Sequence, residues 1–358
     1  MKILQVIPYF CFGGAEIMCE NLTYALTAQG HQVSVVSLYN EHTPISERME
    51  KAGIRFYYLD KKLGLDISMV PKLMKIMIEE KPDVVHTHLD VIKYAVAAAK
   101  LVGIKRCVHT MHTVAHKEAE GRLQKLINGF YFRHGWSVPV ALSPEVQQTV
   151  SEFYHMNIRN IPVVFNGIDL DRYTAKTDYT MGEEPVLLHI GRFDIPKNHK
   201  GLLNAFALLL QKHPNCRLEL IGDGHLRPQL EEQIQKLGIS DRVILHGMQS
   251  NVCQYLQKAD IFILPSTYEG MPMSIIEAMA AGVPIVASAV GGIPAMVTSG
   301  ESAILVSVSD EAVVAACDTL LQNEELRQKL GRGAQKQSIR FCEKQMALNY
   351  CGVYNGCY

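Results

Sequence analysis

Two glutamates, Glu269 and Glu277, sit in the run Ser266-Thr267-Tyr268-Glu269-Gly270-Met271-Pro272-Met273-Ser274-Ile275-Ile276-Glu277-Ala278-Met279-Ala280-Ala281, with the spacing E-x7-E. Paired carboxylates can exchange protons with a substrate, but they also accept hydrogen bonds from hydroxyl-rich ligands and fix their orientation. At this spacing they need not be an acid–base pair. The apolar run Ile261–Leu264 reads as a strand, a glycine–proline loop follows, and a helix opens near Ser274. Unpaired N–H groups at such a helix start, aided by the helix dipole, suit a diphosphate. Glu269 is then expected on the loop above a sugar, and Glu277 one turn into the helix, within reach of ribose hydroxyls. The plainer alternative is an amphipathic helix with two solvated glutamates, and Ala-Met-Ala-Ala is helix-friendly.

Gly191-Arg192-Phe193-Asp194-Ile195-Pro196-Lys197-Asn198 places a glycine turn ahead of two cations. A sugar leaving as a nucleoside diphosphate needs its developing negative charge neutralised, bidentately by arginine or as a point charge by lysine. A surface loop with two solvated cations is the alternative. Ile221-Gly222-Asp223-Gly224 is a strand with a glycine turn, to which no ligand contact is assigned. The histidines His86, His88, His109, His112 and His116 invite a metal, but no carboxylate or cysteine arrangement of metal-site type accompanies them, so no metal is expected. Cys11-Phe12-Gly13-Gly14-Ala15-Glu16 lacks G-x-G-x-x-G, which argues against hydride transfer.

Short β-rich runs alternate with amphipathic helical stretches, the pattern of parallel α/β layers. Strands are expected at Ile3–Ile7, Val33–Leu38, Ile54–Leu59, Val84–His86, Arg106–His109, Val138–Leu142 and Ile161–Val164 in the first half. A second series begins at Pro185–Ile190 and continues through Arg217–Ile221, Val243–Leu245, Ile261–Leu264, Pro284–Ala287 and Ile304–Val306. Helices are expected over Glu16–Gln29, ended by Gly30, and from Ser143-Pro144, a cap residue ahead of a first-turn proline. The polar, aperiodic stretch after Asn166-Gly167-Ile168-Asp169 marks a boundary. The expected division is 1–165, a linker 166–184, a second domain 185–340, and a helix in 341–358 returning to the first domain. Two doubly wound domains facing each other would form a ligand cleft at the carboxyl ends of their strands.

With 358 residues, 48% hydrophobic, 20% charged and a formal net charge of −1, the chain has room for two ordinary domains and no whole-molecule charge calling for nucleic acid. Met1–Ile7 reads as a first strand rather than a signal peptide. No uncharged apolar run reaches the roughly 18 residues of a membrane span. Nine scattered cysteines without a C-x-x-C pair suit reduced thiols and a cytoplasmic setting. Gly121–Trp136 mixes cations, aromatics and the one tryptophan. It suits a domain helix with an apolar inner face or, alternatively, a helix docking on an anionic bilayer, which would place the protein peripherally at the inner face of the plasma membrane.

Y-E-G-M-P-M-S-I-I-E-A-M-A-A-G-V-P-I-V-A-S resembles the signature of glycosyltransferase family 4, enzymes of the GT-B fold. The resemblance extends along the chain through Gly13-Gly14-Ala15-Glu16, His109-Thr110-Met111-His112, Asn166-Gly167-Ile168-Asp169 and G-R-F-D-I-P-K-N. It implies the GT-B form of the α/β class, with two Rossmann-like domains across a cleft, the first for acceptor and the second for donor. Arg192 and Lys197 would hold the diphosphate, Glu269 would touch the donor sugar, and Glu277 the ribose. The backbone of Gly270, Met271 and Pro272, with Ser274 and Ile275, would line sugar and phosphates. Gly13-Gly14 would let the first domain approach the donor phosphate, and His112 would lie where acceptor and donor meet. Such enzymes retain anomeric configuration without a metal or other cofactor, which agrees with the lack of a strong general base.

The implied reaction moves a hexose from a nucleoside-diphosphate sugar, UDP favoured, to a hydroxyl acceptor, a lipid-linked saccharide included, in polysaccharide or glycolipid synthesis. One departure is Ala295, where a glutamate usually follows Gly291-Gly292-Ile293-Pro294; it bears on local loop packing and donor preference. A nucleotide-sugar epimerase and a non-catalytic sugar-nucleotide module are the competing expectations.

Overall fold

Apolar runs that are covered on both faces become parallel strands, and twelve of them form two sheets in the computed structural model, which describes residues 1–358 apart from Phe12 and Glu120. The chain divides into two units, Met1–Gly167 with Glu343–Tyr358, and Ile168–Cys342. The α/β doubly wound expectation holds for each.

In the first unit β1 (Lys2–Ile7), β2 (Gln32–Ser37), β3 (Arg55–Tyr58), β4 (Val84–His88), β5 (Arg106–Met111) and β6 (Val138–Ala141) lie in the order β3-β2-β1-β4-β5-β6. All neighbours are parallel, with Ile3 beside both Val33 and Val84. Leu4, Val6, Val36, Val85 and Met111 bury one side of the sheet against Met69, Leu73, Ile92, Ala95 and Ala99. The helix expected at Glu16–Gln29 runs Gly14–Ala28, and Gly30 takes φ +83° just beyond it. The helix at Ser143 runs Pro144–Tyr154, and Ser143 Oγ accepts from Val146 N at 3.2 Å.

Ile161–Val164, expected as a strand, is a correction. Among the described residues it makes only one bridge, Ala141 to Val163, through Ala141 N to Pro162 O and Val164 N to Ala141 O, both 2.9 Å. Pro162 has no N–H to extend a ladder. The C-terminal helix Glu343–Asn355 belongs to this unit and buries Met346, Ala347, Tyr350, Val353 and Tyr354.

In the second unit β7 (Val186–Ile190), β8 (Arg217–Ile221), β9 (Val243–Gly247), β10 (Ile261–Leu264), β11 (Ile285–Ser288) and β12 (Ile304–Val306) take the order β12-β11-β10-β7-β8-β9. This repeats the first sheet's topology. Winding reverses between β1 and β4 in one sheet and between β7 and β10 in the other, and ligands of open α/β sheets bind at the carboxyl ends of such strand pairs.

Of the stretch 166–184 expected as linker, 166–167 lies within the first unit and 168–184 within the second. Its polar groups are anchored far along the chain. Lys176 Nζ donates to Ala259 O at 2.7 Å, Tyr179 OH to Gly282 O at 3.0 Å, and the buried Arg327 guanidinium to Tyr179 O.

Candidate active site

The loops after β7 and β10 meet at the switch point of the second sheet. Lys197 comes from the first and Glu269 from the second. Lys197 Nζ donates to Glu269 Oε1 at 2.6 Å, and Ser266 Oγ donates to the same oxygen at 2.7 Å. Both charged side chains are largely buried, so the pair is little screened. Asn198 holds the two loops together. It adopts φ +54°, a conformation asparagine tolerates, accepts at Oδ1 from Gly201 N at 3.2 Å, and donates through Nδ2 to Pro265 O at 3.1 Å. Thr267 N to Pro196 O at 2.8 Å adds a second tie.

Glycines brace both loops by close backbone approach. A Cβ on Gly291, at φ +58°, would lie 1.7 Å from Glu269 O, and Gly292 N donates to that oxygen at 3.2 Å. A Cβ on Gly222 would lie 2.0 Å from Gly191 O, and one on Gly224 2.4 Å from Phe193 O. Ile221-Gly222-Asp223-Gly224 thus supports the Arg192–Lys197 loop, with Phe193 N bonded to Asp223 O at 2.9 Å.

The helix after the glycine–proline loop runs Met273–Ala280, and its start carries no side-chain cap. Ile275 N bonds back to Pro272 O at 3.2 Å, and the Ile275 side chain is fully buried, so this residue offers a ligand neither. Met273 and Ser274 lead the dipole's positive end. Gly270, Met271 and Pro272 are buried beneath. Glu277, from the same helix, is also buried and accepts from Tyr173 OH at 3.1 Å. Burial raises the Glu277 carboxyl above the usual carboxylate range, while Tyr173 and the nearby Arg172 charge oppose the rise. Arg192 stands apart, exposed and paired with Asp194 Oδ2 at 2.8 Å.

In the first unit, His88 at the end of β4 and His112 just after β5 share a hydrogen bond, Nδ1 to Nε2, at 3.1 Å. His88 Nε2 meets Gln5 Oε1 at 2.7 Å. His86 is sealed between Tyr354 OH and Thr110 Oγ1, each at 2.8 Å, and His109 Nδ1 meets Thr87 Oγ1 at 2.9 Å. Burial holds His86 and His88 well below the ordinary histidine range. It lowers His112 to about 4, with His109 assisting and Glu118 opposing. Among the described residues no three His, Cys, Asp or Glu side chains gather to hold a metal ion. Gly13 caps the helix Gly14–Ala28 without a side chain; a Cβ there would lie 2.4 Å from Glu16 Oε2, and Gly14 is exposed at the first turn. Phe12 of this loop lies outside the described residues.

The sequence alone assigns no role to Tyr173, Ser266, Asn198 or Gly291. Asn198 alone carried a local signal, an asparagine ahead of an apolar helical run.

Residues 12–172 match the family model described as Glycosyltransferase Family 4, and residues 175–337 match that described as Glycosyl transferases group 1. The chain belongs to the GT-B glycosyltransferases and is family 4-like. It is 26% identical to N-acetyl-alpha-D-glucosaminyl L-malate synthase of Bacillus anthracis, over 99% of this chain and 97% of that one. It is 24% identical, over 78% of this chain and 77% of that one, to the UDP-Gal:alpha-D-GlcNAc-diphosphoundecaprenol alpha-1,3-galactosyltransferase of Escherichia coli. The fold matches that of Anabaena HepE in complex with UDP and glucose at a TM-score of 0.86, with 20% identity over 99% of each chain. In the glycosyltransferase the Lys197–Glu269 pair, Glu277 and the uncapped helix start lie in the second unit, and the network of His86, His88, His109 and His112 lies in the first.

Proposed function

We propose that this glycosyltransferase moves a hexose-type sugar from a UDP-sugar to a hydroxyl acceptor with retention of anomeric configuration, in the synthesis of a cell-surface polysaccharide or glycolipid. The carrying observation is the buried Lys197–Glu269 pair at the switch point, beside an uncapped helix start. A diphosphate at that helix start meets N–H groups aligned with the dipole, and Lys197 can transfer its charge from Glu269 to the phosphate oxygens. Glu269, freed of Lys197, accepts from sugar hydroxyls, and Glu277 accepts from the ribose. Arg192 exchanges Asp194 for phosphate. The C1–O bond to the diphosphate breaks as the acceptor oxygen bonds to C1 on the same face, and the departing phosphate oxygen takes the acceptor's proton. Positive charge from Lys197, Arg192 and the helix start serves the leaving group without a metal or other cofactor.

Support for uridine comes from the UDP bound to HepE and the UDP-Gal in the name of the E. coli relative. That name also includes a diphosphoundecaprenol acceptor, which fits a lipid-linked saccharide here. The helix Arg122–Arg133 turns Leu123, Leu126 and Phe130 to solvent beside Arg122 and Lys125, a surface suited to the inner face of the plasma membrane. Among the described residues no helix is long and apolar enough to cross a membrane.

The experiment is a thermal-shift panel of UDP-, GDP- and ADP-sugars followed by proton NMR of the product. UDP-sugars should stabilise the protein, by about 2.7 kcal/mol at a hundredfold excess over Kd, and an α-linked donor should yield an α-linked product. Stabilisation by only another base, or an inverted product, would overturn the corresponding part.

A further inference from the structure

We infer that Gln5, oriented by Thr23 and Cys19, sets the tautomer of His88 and through it that of His112, so that His112 presents a bare Nδ1 as acceptor for a substrate hydroxyl. The hydroxyl rests on the transfer reaction proposed above and on the placement of His112 where acceptor and donor meet, which the family resemblance implies; the relay rests on hydrogen bonds within the first unit alone.

The chain of donors starts at a group whose role is fixed. Cys19 O can only accept, and Thr23 Oγ1 lies 2.7 Å from it. Thr23 has one hydroxyl proton, and this bond uses it. Thr23 Oγ1 must therefore accept at its second contact, Gln5 Nε2 at 2.8 Å, which assigns the amino end of the Gln5 amide to that side. Cys19 supplies an independent check. Burial pushes its thiol up, so it keeps its proton and donates to Gln5 Oε1 at 3.2 Å.

With the Gln5 carbonyl turned away from Thr23, its 2.7 Å contact with His88 Nε2 requires a proton on that nitrogen. His88 is fully buried and held neutral, so its Nδ1 is bare. That bare nitrogen faces His112 Nε2 at 3.1 Å, which must then carry the proton. Neutral His112 is left with an unprotonated Nδ1. His112, unlike His86, His88 and His109, is not fully enclosed, so the end of the relay is the one that can meet a ligand. Gln5, Thr23 and His88 are positioning residues in this scheme; none of them needs to touch substrate.

The test is long-range proton–nitrogen NMR on the full chain labelled with 15N-histidine. The wild type should show Nε2–H with bare Nδ1 for both His88 and His112. In Gln5→Leu the acceptor is gone, and both histidines should populate two tautomers. Gln5→Glu keeps an acceptor and should restore one. Should Gln5→Leu not fold, Thr23→Val/Cys19→Ala removes both groups that orient the amide and should give the same mixture. A wild-type His112 carrying its proton on Nδ1, or variants that keep pure Nε2–H forms, would overturn the relay. In the transfer assay kcat should fall in proportion to the His112 fraction in the wrong tautomer, with KM little changed. A mixed spectrum with unchanged kcat would overturn the substrate role of His112 while leaving the relay standing.

Discussion

Replacing Gly291 by alanine should injure both stability and turnover, by amounts the backbone geometry sets. Gly291 sits at φ +58°, where an L side chain costs roughly 1–2 kcal/mol. Its new Cβ would also lie 1.7 Å from Glu269 O, against an ordinary contact of 3.4 Å or more, so one of the two segments must retreat by about half of that separation. Overpacking of this kind costs about 1–3 kcal/mol. The combined penalty, about 2–5 kcal/mol, corresponds to a melting point lower by about 5–15 °C for a unit of this size. Gly300→Ala is the matched control, because Gly300 has φ +78° and nothing within 4 Å of its added Cβ, leaving the backbone term alone. The shift at Gly291 also displaces the residue that pairs with Lys197, and a misplacement near 1 Å can cost about 10²-fold in rate. Thermal unfolding and steady-state transfer, measured on both variants, separate the two terms. Equal melting points for the two variants with unchanged kcat for Gly291→Ala would refute the bracing of Glu269 by Gly291.

Lys197→Ala removes the cation while leaving Glu269 with Ser266 alone; transfer should fall by about 10²–10³, and normal turnover in the steady-state assay would exclude the leaving-group role. Glu277→Gln tests the raised carboxyl. A folded-state value above the unfolded one means stability is complete below the unfolded value and is lost as pH rises through the folded one. The glutamine variant should therefore melt higher than wild type at neutral pH, lose that advantage as pH drops below the usual carboxylate range, and bind the donor nucleotide more weakly by calorimetry. Arg122→Glu/Lys125→Glu should abolish sedimentation with anionic vesicles at low salt and spare transfer to a soluble acceptor; unchanged vesicle binding would remove the membrane role.

Most strands are legible because parallel strands buried on both faces read as unbroken apolar runs, and Ile261–Leu264 shows this directly, whereas Arg217–Ile221 alternates polar with apolar residues and is only partly buried. Ile161–Val164 has the same apolar look, but the local pattern does not weigh the missing N–H of Pro162. The stretch after Ile168 reads as linker because its order comes from partners about a hundred residues away, as with Tyr179 and Gly282. In the candidate site, the motif types and their placement after strands could be read, whereas the pairing of Lys197 with Glu269, of Tyr173 with Glu277, and the pressure of Gly291 on Glu269 O could not. Each depends on two loops that only the sheet order brings together. Arg192 illustrates the converse: its spacing from Lys197 suggests a joint cation pair, yet the chain turns it to solvent and Asp194.

The C-terminal helix gives the chain an unusual schedule of completion. The Tyr350 and Tyr354 hydroxyls close over Thr110 and His86, so the first unit lacks part of its interior until Glu343–Asn355 has been synthesised. The second unit ends at Cys342 and has its whole sequence earlier. Nascent chains ordinarily fold their N-terminal domain first, at a synthesis rate of about 5–20 residues per second. Here the half that emerges first is finished after the second, and His86 of β4 stays unsealed until Glu343–Asn355 has been made. A chain stopped at Cys342 would carry a complete second unit joined to an unsealed first one, so premature termination should yield a protein prone to capture by chaperones rather than a merely shortened enzyme.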